Sequence, residues 1–444
     1  MRAALLLALS ILSAGCAETP AVDTGAASAA DTAEAAAAPQ RTLAIVHARA
    51  YTMLADAVLE DATIVVSEGR IVAVAGGAAP PAGSTVVDAG GRIVTPALMN
   101  AATQLGLLEV AGDADTTDQS VDSGPLGAAF DPQYALDPNS LAVQKARVDG
   151  VSRALVVPTR SGAGSFSGLA SVLHLRVGAE LLEKPQAALV AVVGGPSAAD
   201  AGGSRSAQWQ LLRNALDEAT RAGSKSPLAE DERLLNRLDL AAVRHVLDAG
   251  VPLLLAVNRE SDLRQAIRLQ KDFPVRVVVL GGAEAWRVAP ELAGAKIPVV
   301  LDPYADLPMS YDEIGARRDN AARLVKAGVT IAFTVSGQGI YHTYQAGPVL
   351  REAAGIAVAN GLPYIEALRA LTANPARIWG VDARYGTLES GRDADLVIWD
   401  GDPLEPSSAP VQVFVGGESI SLRTRQTELR DRYRPASATR SGSP

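Results

Sequence analysis

The sequence predicts an α/β protein: a (β/α)8 TIM-like barrel joined to a small β-sandwich domain formed from both chain ends. Three observations point there. Eight short, nearly continuous apolar segments alternate with helical stretches between residues 96 and 375, the pattern of strands buried on both faces of a parallel barrel. Strand-rich pieces flank that stretch on both sides, and two such pieces bury their apolar faces only by meeting. No Gly-rich phosphate loop follows the first apolar strand, which weighs against the competing doubly wound sheet.

The chain opens MRAALLLALSILSAGC, one Arg and an apolar run from Ala3 to Leu12 before small residues and Cys16. That run is too short to span a bilayer and has the form of a secretory signal. Cys16 is the only cysteine, so a disulfide scaffold and a thiolate metal site are both excluded. Its setting after Ser13-Ala14-Gly15 resembles a bacterial lipobox, with Ser13 where Leu is usual. The expectation is a lipoprotein, lipidated at Cys16 and held on the periplasmic face of the outer membrane. Residues 17–40 are small and acidic without aromatics and read as a flexible tether.

From Thr42 to Val94 the β-branched alternation of LAIVHARAYT, ATIVVSEGRIVAVAG and STVVDAGGRIVTP predicts short strands with tight turns. The barrel strands are then Ala97–Thr103, Arg153–Pro158, Leu169–Leu175, Ala187–Val193, Val251–Val257, Val275–Leu280, Ile297–Leu301 and Val329–Thr334. Between them, Ser206–Ala222, Leu234–Ala249, Ser261–Lys271, Ala283–Leu292, Tyr311–Ala327 and Gly347–Asn360 carry helical periodicity, and Ile365–Leu371 begins another helix. Ser310 with Glu313 is the sequence of a capping box for the Tyr311 helix. Val110–Asn139 is a long Asp/Gly/Ser-rich excursion, placed over the barrel mouth. The organisation is residues 1–16 signal, 17–40 linker, 41–95 first part of the sandwich, 96–375 barrel, 376–425 second part, and 426–444 tail. A net charge of −9 without basic blocks speaks against a nucleic-acid partner.

Several phrases carry a family likeness: GRIVTP running into LMNAATQLG, VPLLLAVNRESDLRQAIRL, GGAEAWRVAPEL, LTANPARIWGV and GTLESGRDADLVIWDGDP. Over residues 42 to 425 the chain resembles the amidohydrolase superfamily, in particular secreted relatives of imidazolonepropionase and prolidase-type enzymes. The resemblance implies a zinc or other divalent metal at the C-terminal ends of the barrel strands. Carried over position by position, the two first-strand histidines fall on Ala102 and Gln104, and the fifth-strand histidine on Ala256. The sixth-strand histidine falls at Gly281 and the eighth-strand aspartate on Val335, and Ala187–Val193 holds no lysine. Zinc needs imidazole, carboxylate or thiolate donors, which Ala, Gly and Val lack. A water without a metal keeps a pKa of ~15.7 rather than about 7. The expectation is therefore no cofactor, and a non-catalytic pseudoenzyme that binds a ligand or serves as a scaffold.

Two alternatives stay open. One is a hydrolase of peptide or non-peptide C–N bonds by metal-independent or displaced chemistry, with His342 or Asp302 as base. The other is a non-catalytic partner of an intact homologue, in a homo- or hetero-oligomer. For a small-molecule or peptide-like ligand, the predicted rim offers Arg160, Gln104, Tyr304 and Tyr341. Of the other histidines, His174 in a strand and His245 in a helix read as structural, and His47 belongs to the small sheet.

Overall fold

The computed structural model describes residues 42–110, 113–159, 165–178, 180–222, 233–305, 307–335 and 345–434. Cys16, Arg160, Tyr341 and His342 lie outside them. Among the described residues no helix is long and apolar enough to cross a membrane.

The first five strands, β1 (Leu43–Ala50), β2 (Leu59–Ser67), β3 (Arg70–Gly76), β4 (Thr85–Asp88) and β5 (Ile93–Pro96), arise from the alternating segments read above. One edge of β1 serves two parallel partners in turn, β4 along Leu43–Val46 and β5 at Arg49–Ala50. His47 marks the changeover with a left-handed φ of 53°, and its Nδ1 lies 3.0 Å from Asp88 Oδ1. The far end of the chain supplies β14 (Leu396–Trp399), β15 (Pro410–Val415) and β16 (Glu418–Ser419). β14 pairs antiparallel with β5, so both chain ends complete one eight-stranded sheet. Its apolar face is built on Ile45, Ile64, Ile71, Leu396 and Phe414.

The barrel sheet runs β6 (Leu98–Thr103), β7 (Val151–Val156), β8 (Phe166–His174), β9 (Leu182–Val192), β10 (Leu253–Val257), β11 (Val277–Gly281), β12 (Val299–Leu301) and β13 (Ile331–Phe333), in that order. All eight predicted strands are present. The Thr334 hydroxyl donates to the Ala102 carbonyl and brings the last strand back to the first. Met99, Leu155, Val172, Val190, Leu254, Val278, Val300 and Ala332 help fill the interior, so that all eight strands contribute to it. One difference from an ideal barrel is that β8 runs antiparallel to both β7 and β9. The connections 157–165 and 175–181 are shorter than the dozen or so residues a parallel crossover needs, so the chain turns straight back.

The barrel floor, at the N-terminal ends of the parallel strands, is closed by the helix Ala373–Trp379 and the loop after it. Trp379 and Tyr385 pack into the interior cluster. The Tyr385 hydroxyl donates to the Ala97 carbonyl, Met99 N–H to Leu371 O at 2.8 Å, and Asn374 Nδ2 to Ile331 O at 2.9 Å.

The predicted helix over Tyr311–Ala327 forms only in its second half, Asn320–Lys326. The Ser310 side chain makes no capping bond. Glu313 is drawn away instead, accepting from Met309 N–H at 3.0 Å and Asn258 Nδ2 at 3.2 Å. Asp312 accepts from Gly195 N–H at 2.6 Å and from Arg205. These bonds pin residues 309–313 to the rim and cost that segment its helix.

The excursion after β6 is anchored by one buried carboxylate. Asp239 Oδ1 accepts from Gly127 N–H at 3.0 Å and Ala129 N–H at 2.8 Å, and Oδ2 from Asn236 Nδ2 at 2.7 Å. Asp239→Ala leaves the buried Gly127 N–H unmet, which costs about 1–3 kcal/mol, and the half-buried Ala129 N–H with it. Amide exchange around 127–130 is expected to accelerate strongly while β10–β13 stay protected; unchanged protection at Gly127 and Ala129 would show that the anchor is elsewhere.

Candidate functional site

Arg153 stands near the start of β7, in the apolar run VSRALV, and its side chain is fully buried. A guanidinium in that position needs counter-charges, and the fold delivers three. Nε donates to Glu183 Oε2 at 2.7 Å and Nη2 to Glu183 Oε1 at 3.1 Å. Nη2 also donates to Asp393 Oδ2 at 2.6 Å, and Nη1 to Asp395. The ring of Tyr385 lies under the guanidinium, 4.4 Å from its carbon. Burial pulls the guanidinium down, yet Asp395 and Glu183 hold it well above its ordinary value.

Three elements meet here because of how their strands run. Antiparallel pairing sets Arg153 opposite His174, the last residue of β8. Glu183 lies at the start of β9. Asp393 and Asp395 enter just before β14, held by two glycine hairpins: Ala394 N–H donates to Gly69 O at 2.8 Å, and Gly417 N–H to Ala394 O at 2.9 Å. Gly69 has φ of 74°, and a Cβ there would come within 2.6 Å of Gly416 O, so the hairpins touch only because that side chain is absent. Gly416 N–H donates to Asp395 Oδ1 at 2.7 Å. Burial raises the Asp395 carboxyl, but Arg153 and His174 outweigh it and hold the group well below its ordinary value.

His174, Glu183 and Asp393 each turn one ligand atom to a common point, all within 4.8 Å of one another. The expectation that the chain has no metal-holding residues, with no cofactor and a pseudoenzyme role, is corrected by this cluster. Its donor set, one imidazole and two carboxylates, suits a divalent cation. His174 Nε2 lies 3.0 Å from Asp395 Oδ2, which selects the Nε2–H tautomer and turns the Nδ1 lone pair inward, towards Arg153 Nη2. The common point is where Arg153 Nη2 sits, 2.6 Å from Asp393 Oδ2, 3.1 Å from Glu183 Oε1 and 3.5 Å from His174 Nδ1. A divalent cation would be held by these three residues only in the guanidinium's place.

The positions carried over from the resemblance stand at or just past the C-terminal ends of β6, β10, β11 and β13, at the opposite end of the barrel from the cluster. Ala102 and Val335 are buried, and Ala256 is half-buried. Gly281 has φ of 92°, and a Cβ there would lie 2.5 Å from Asn258 Oδ1. Gln104 is half-buried, its carbonyl accepting from Leu107 N–H at 3.0 Å. Of the rim candidates, Asp302 Oδ1 accepts from Tyr304 N–H at 2.8 Å. The Tyr304 hydroxyl donates to Glu352 Oε2 at 2.8 Å, and burial with that carboxylate pushes it up to about 12. Glu109 caps the helix Leu141–Val148, accepting from Leu141 N–H at 2.8 Å.

Sequence reasoning missed the cluster. His174 read as a structural strand residue, and Asp393 and Asp395 only as part of the return to the end sheet. The signal on offer was Arg153, a charge inside an otherwise apolar strand.

Comparison with known proteins agrees with this architecture. A sequence model of the Amidohydrolase family matches residues 274–420. Amidohydrolase tasK of Hapsidospora irregularis is 25% identical over 374 residues, 76% of this chain. An imidazolonepropionase of Sphingopyxis alaskensis is 54% identical over 46 residues, 10% of this chain. These matches span 37% and 11% of the two relatives' own lengths. Among solved structures, an amidohydrolase from Thermotoga maritima superposes with a TM-score of 0.76 at 24% identity, covering 86% of this chain and 100% of that one, a likeness of fold.

Proposed function

We propose that this chain is an amidohydrolase-type protein acting on a small molecule with a hydrolysable C–N bond, and that His174, Glu183 and Asp393 are the residues that would hold a divalent cation. The convergence of their ligand atoms within 4.8 Å carries the reading. The match of residues 274–420 to the Amidohydrolase family supports it. A bound cation would supply Lewis acidity and lower the pKa of a bound water. The chain's own part is to orient: Asp395 fixes the His174 tautomer, and the glycine hairpins fix Asp393 and Asp395. Placement at the cell envelope through Cys16 belongs to the same proposal, supported by the apolar run Ala3–Leu12 before it.

The test is hydrolysis of a panel of N-acyl amino acids, dipeptides and lactams, with added zinc or manganese and with chelator. Turnover stimulated by metal and abolished in His174→Ala is expected. Turnover indifferent to metal, chelator and His174→Ala, or no turnover across the panel, would overturn the proposal.

A second reading is favoured by the position of Arg153 Nη2 at the centre of the cluster, on the barrel face where built-in residues usually serve stability. There the same residues act as an ionic strut between barrel and end sheet. On either reading, guanidinium and cation would compete for a single place.

A further inference from the structure

A second feature of the barrel floor shares no residue with the cluster. A cavity of about 300 Å³ opens between the starts of β11, β12 and β13 and the end of the helix Ala373–Trp379. Its wall is apolar, with Val278, Ile297, Val329 and Ile378 all buried. Its rim carries Arg276, Lys296 and Arg377, all exposed, and no lining residue is acidic. Arg276 Nη2 donates to Ile378 O at 3.2 Å, which leaves its charge unmatched. None of the three cations forms an ion pair among the described residues. On a chain with net charge −9, three cations line this apolar hollow without one carboxylate among its lining residues, while Glu366, Asp382 and Glu389 line the adjoining hollow on the far side of Arg377.

Lys296 adds an independent observation. It sits just past the helix Ala289–Gly294 with φ of 55°, where its N–H donates to Ala293 O at 3.0 Å and Ile297 N–H to Leu292 O at 3.0 Å. Glycine is the usual residue in that left-handed position, because a side chain there is strained. Such strain clusters at binding sites, and among the described residues Lys296 is the one of six non-glycine residues with positive φ that lines this hollow.

We propose that this cavity binds a small amphipathic carboxylate, its apolar body against Val278, Ile297, Val329 and Ile378 and its charge among Arg276, Lys296 and Arg377. The volume stands at the lower end of small-molecule pockets, about 300–1,000 Å³. Guanidinium and ammonium groups on an apolar hollow select a carboxylate over an alcohol of the same length. The site is independent of the hydrolase reading.

The test is titration of the full chain with octanoate, octanol and octylamine, followed by calorimetry and by amide shifts near Val329. Saturable octanoate binding is expected, about tenfold or more tighter than octanol and weakened by salt. Arg377→Gln is expected to weaken octanoate by about three- to tenfold with an unchanged melting temperature. Lys296→Gly is expected to move binding and stability in opposite directions, weakening octanoate while raising the melting temperature as the strain is relieved. Equal affinity for octanol and octanoate, absence of saturable binding at millimolar ligand, or full affinity in both variants would overturn the proposal.

Discussion

Arg153→Met is expected to lower stability by about 3–5 kcal/mol in metal-free buffer. The side chain is fully buried, and three carboxylates converge on it, those of Glu183, Asp393 and Asp395. Methionine fills much of the space but leaves those charges facing each other in a site shielded from water. Glu183 is 14% exposed and can turn outward; Asp393 and Asp395, at 3% and 0%, cannot. Arg384, 2.9 Å from Asp393, compensates one of the two. Chemical denaturation of parent and variant checks the size of the loss. A change within about 0.5 kcal/mol, the range of ordinary surface substitutions, would show that the guanidinium is not what balances the cluster.

The same network sets an acid limit. Asp395 is held below its ordinary carboxylate value, so the stability it contributes is fully present above the unfolded-state value of about 4 and is lost as pH falls towards the depressed folded value.

Trp379→Ala is expected to cost about 3–5 kcal/mol, because it empties the floor plug beneath the barrel interior. Trp379 is fully buried and packs in the same cluster as Met99, Leu155 and Tyr385. Its indole Nε1 has no hydrogen-bond partner among the described residues, so the ring's worth here is its volume. Trp379→Phe should therefore cost far less, on the order of 1 kcal/mol, since it keeps an aromatic plug and removes an unmet donor. Comparable losses in both variants would mean that the indole N–H contributes through a bond and not through packing.

How much of this was readable in the sequence depended on what each residue's role requires of its neighbours. β10 to β13 were legible because parallel strands covered on both faces are unbroken apolar runs, and Leu253–Val257 and Val277–Gly281 are that. The direction of β8 was not, since Phe166–His174 is equally apolar whichever way it runs. Only the shortness of 157–165 and 175–181 encodes the turn-back. Tyr311–Ala327 has helical periodicity throughout, but Asp312 and Glu313 find partners in Arg205 and Asn258, which no local pattern reveals. The cluster was hidden for the same reason. His174, Glu183 and Asp393 each look ordinary in their own segments and acquire meaning only when antiparallel β8 and the return of the chain to β14 set them around Arg153.

The competition between guanidinium and cation at that point can be read as a metal stoichiometry. Parent, Arg153→Met and Arg153→Met/His174→Ala proteins are equilibrated with zinc, freed of excess metal and analysed for bound ion. The cluster as described predicts about one tightly held ion in Arg153→Met, less in the parent, and none in the double variant, with zinc restoring part of the stability lost on removing Arg153. Absence of zinc from Arg153→Met, with no recovery of its stability, would contradict the assignment of His174, Glu183 and Asp393 as a metal-holding set.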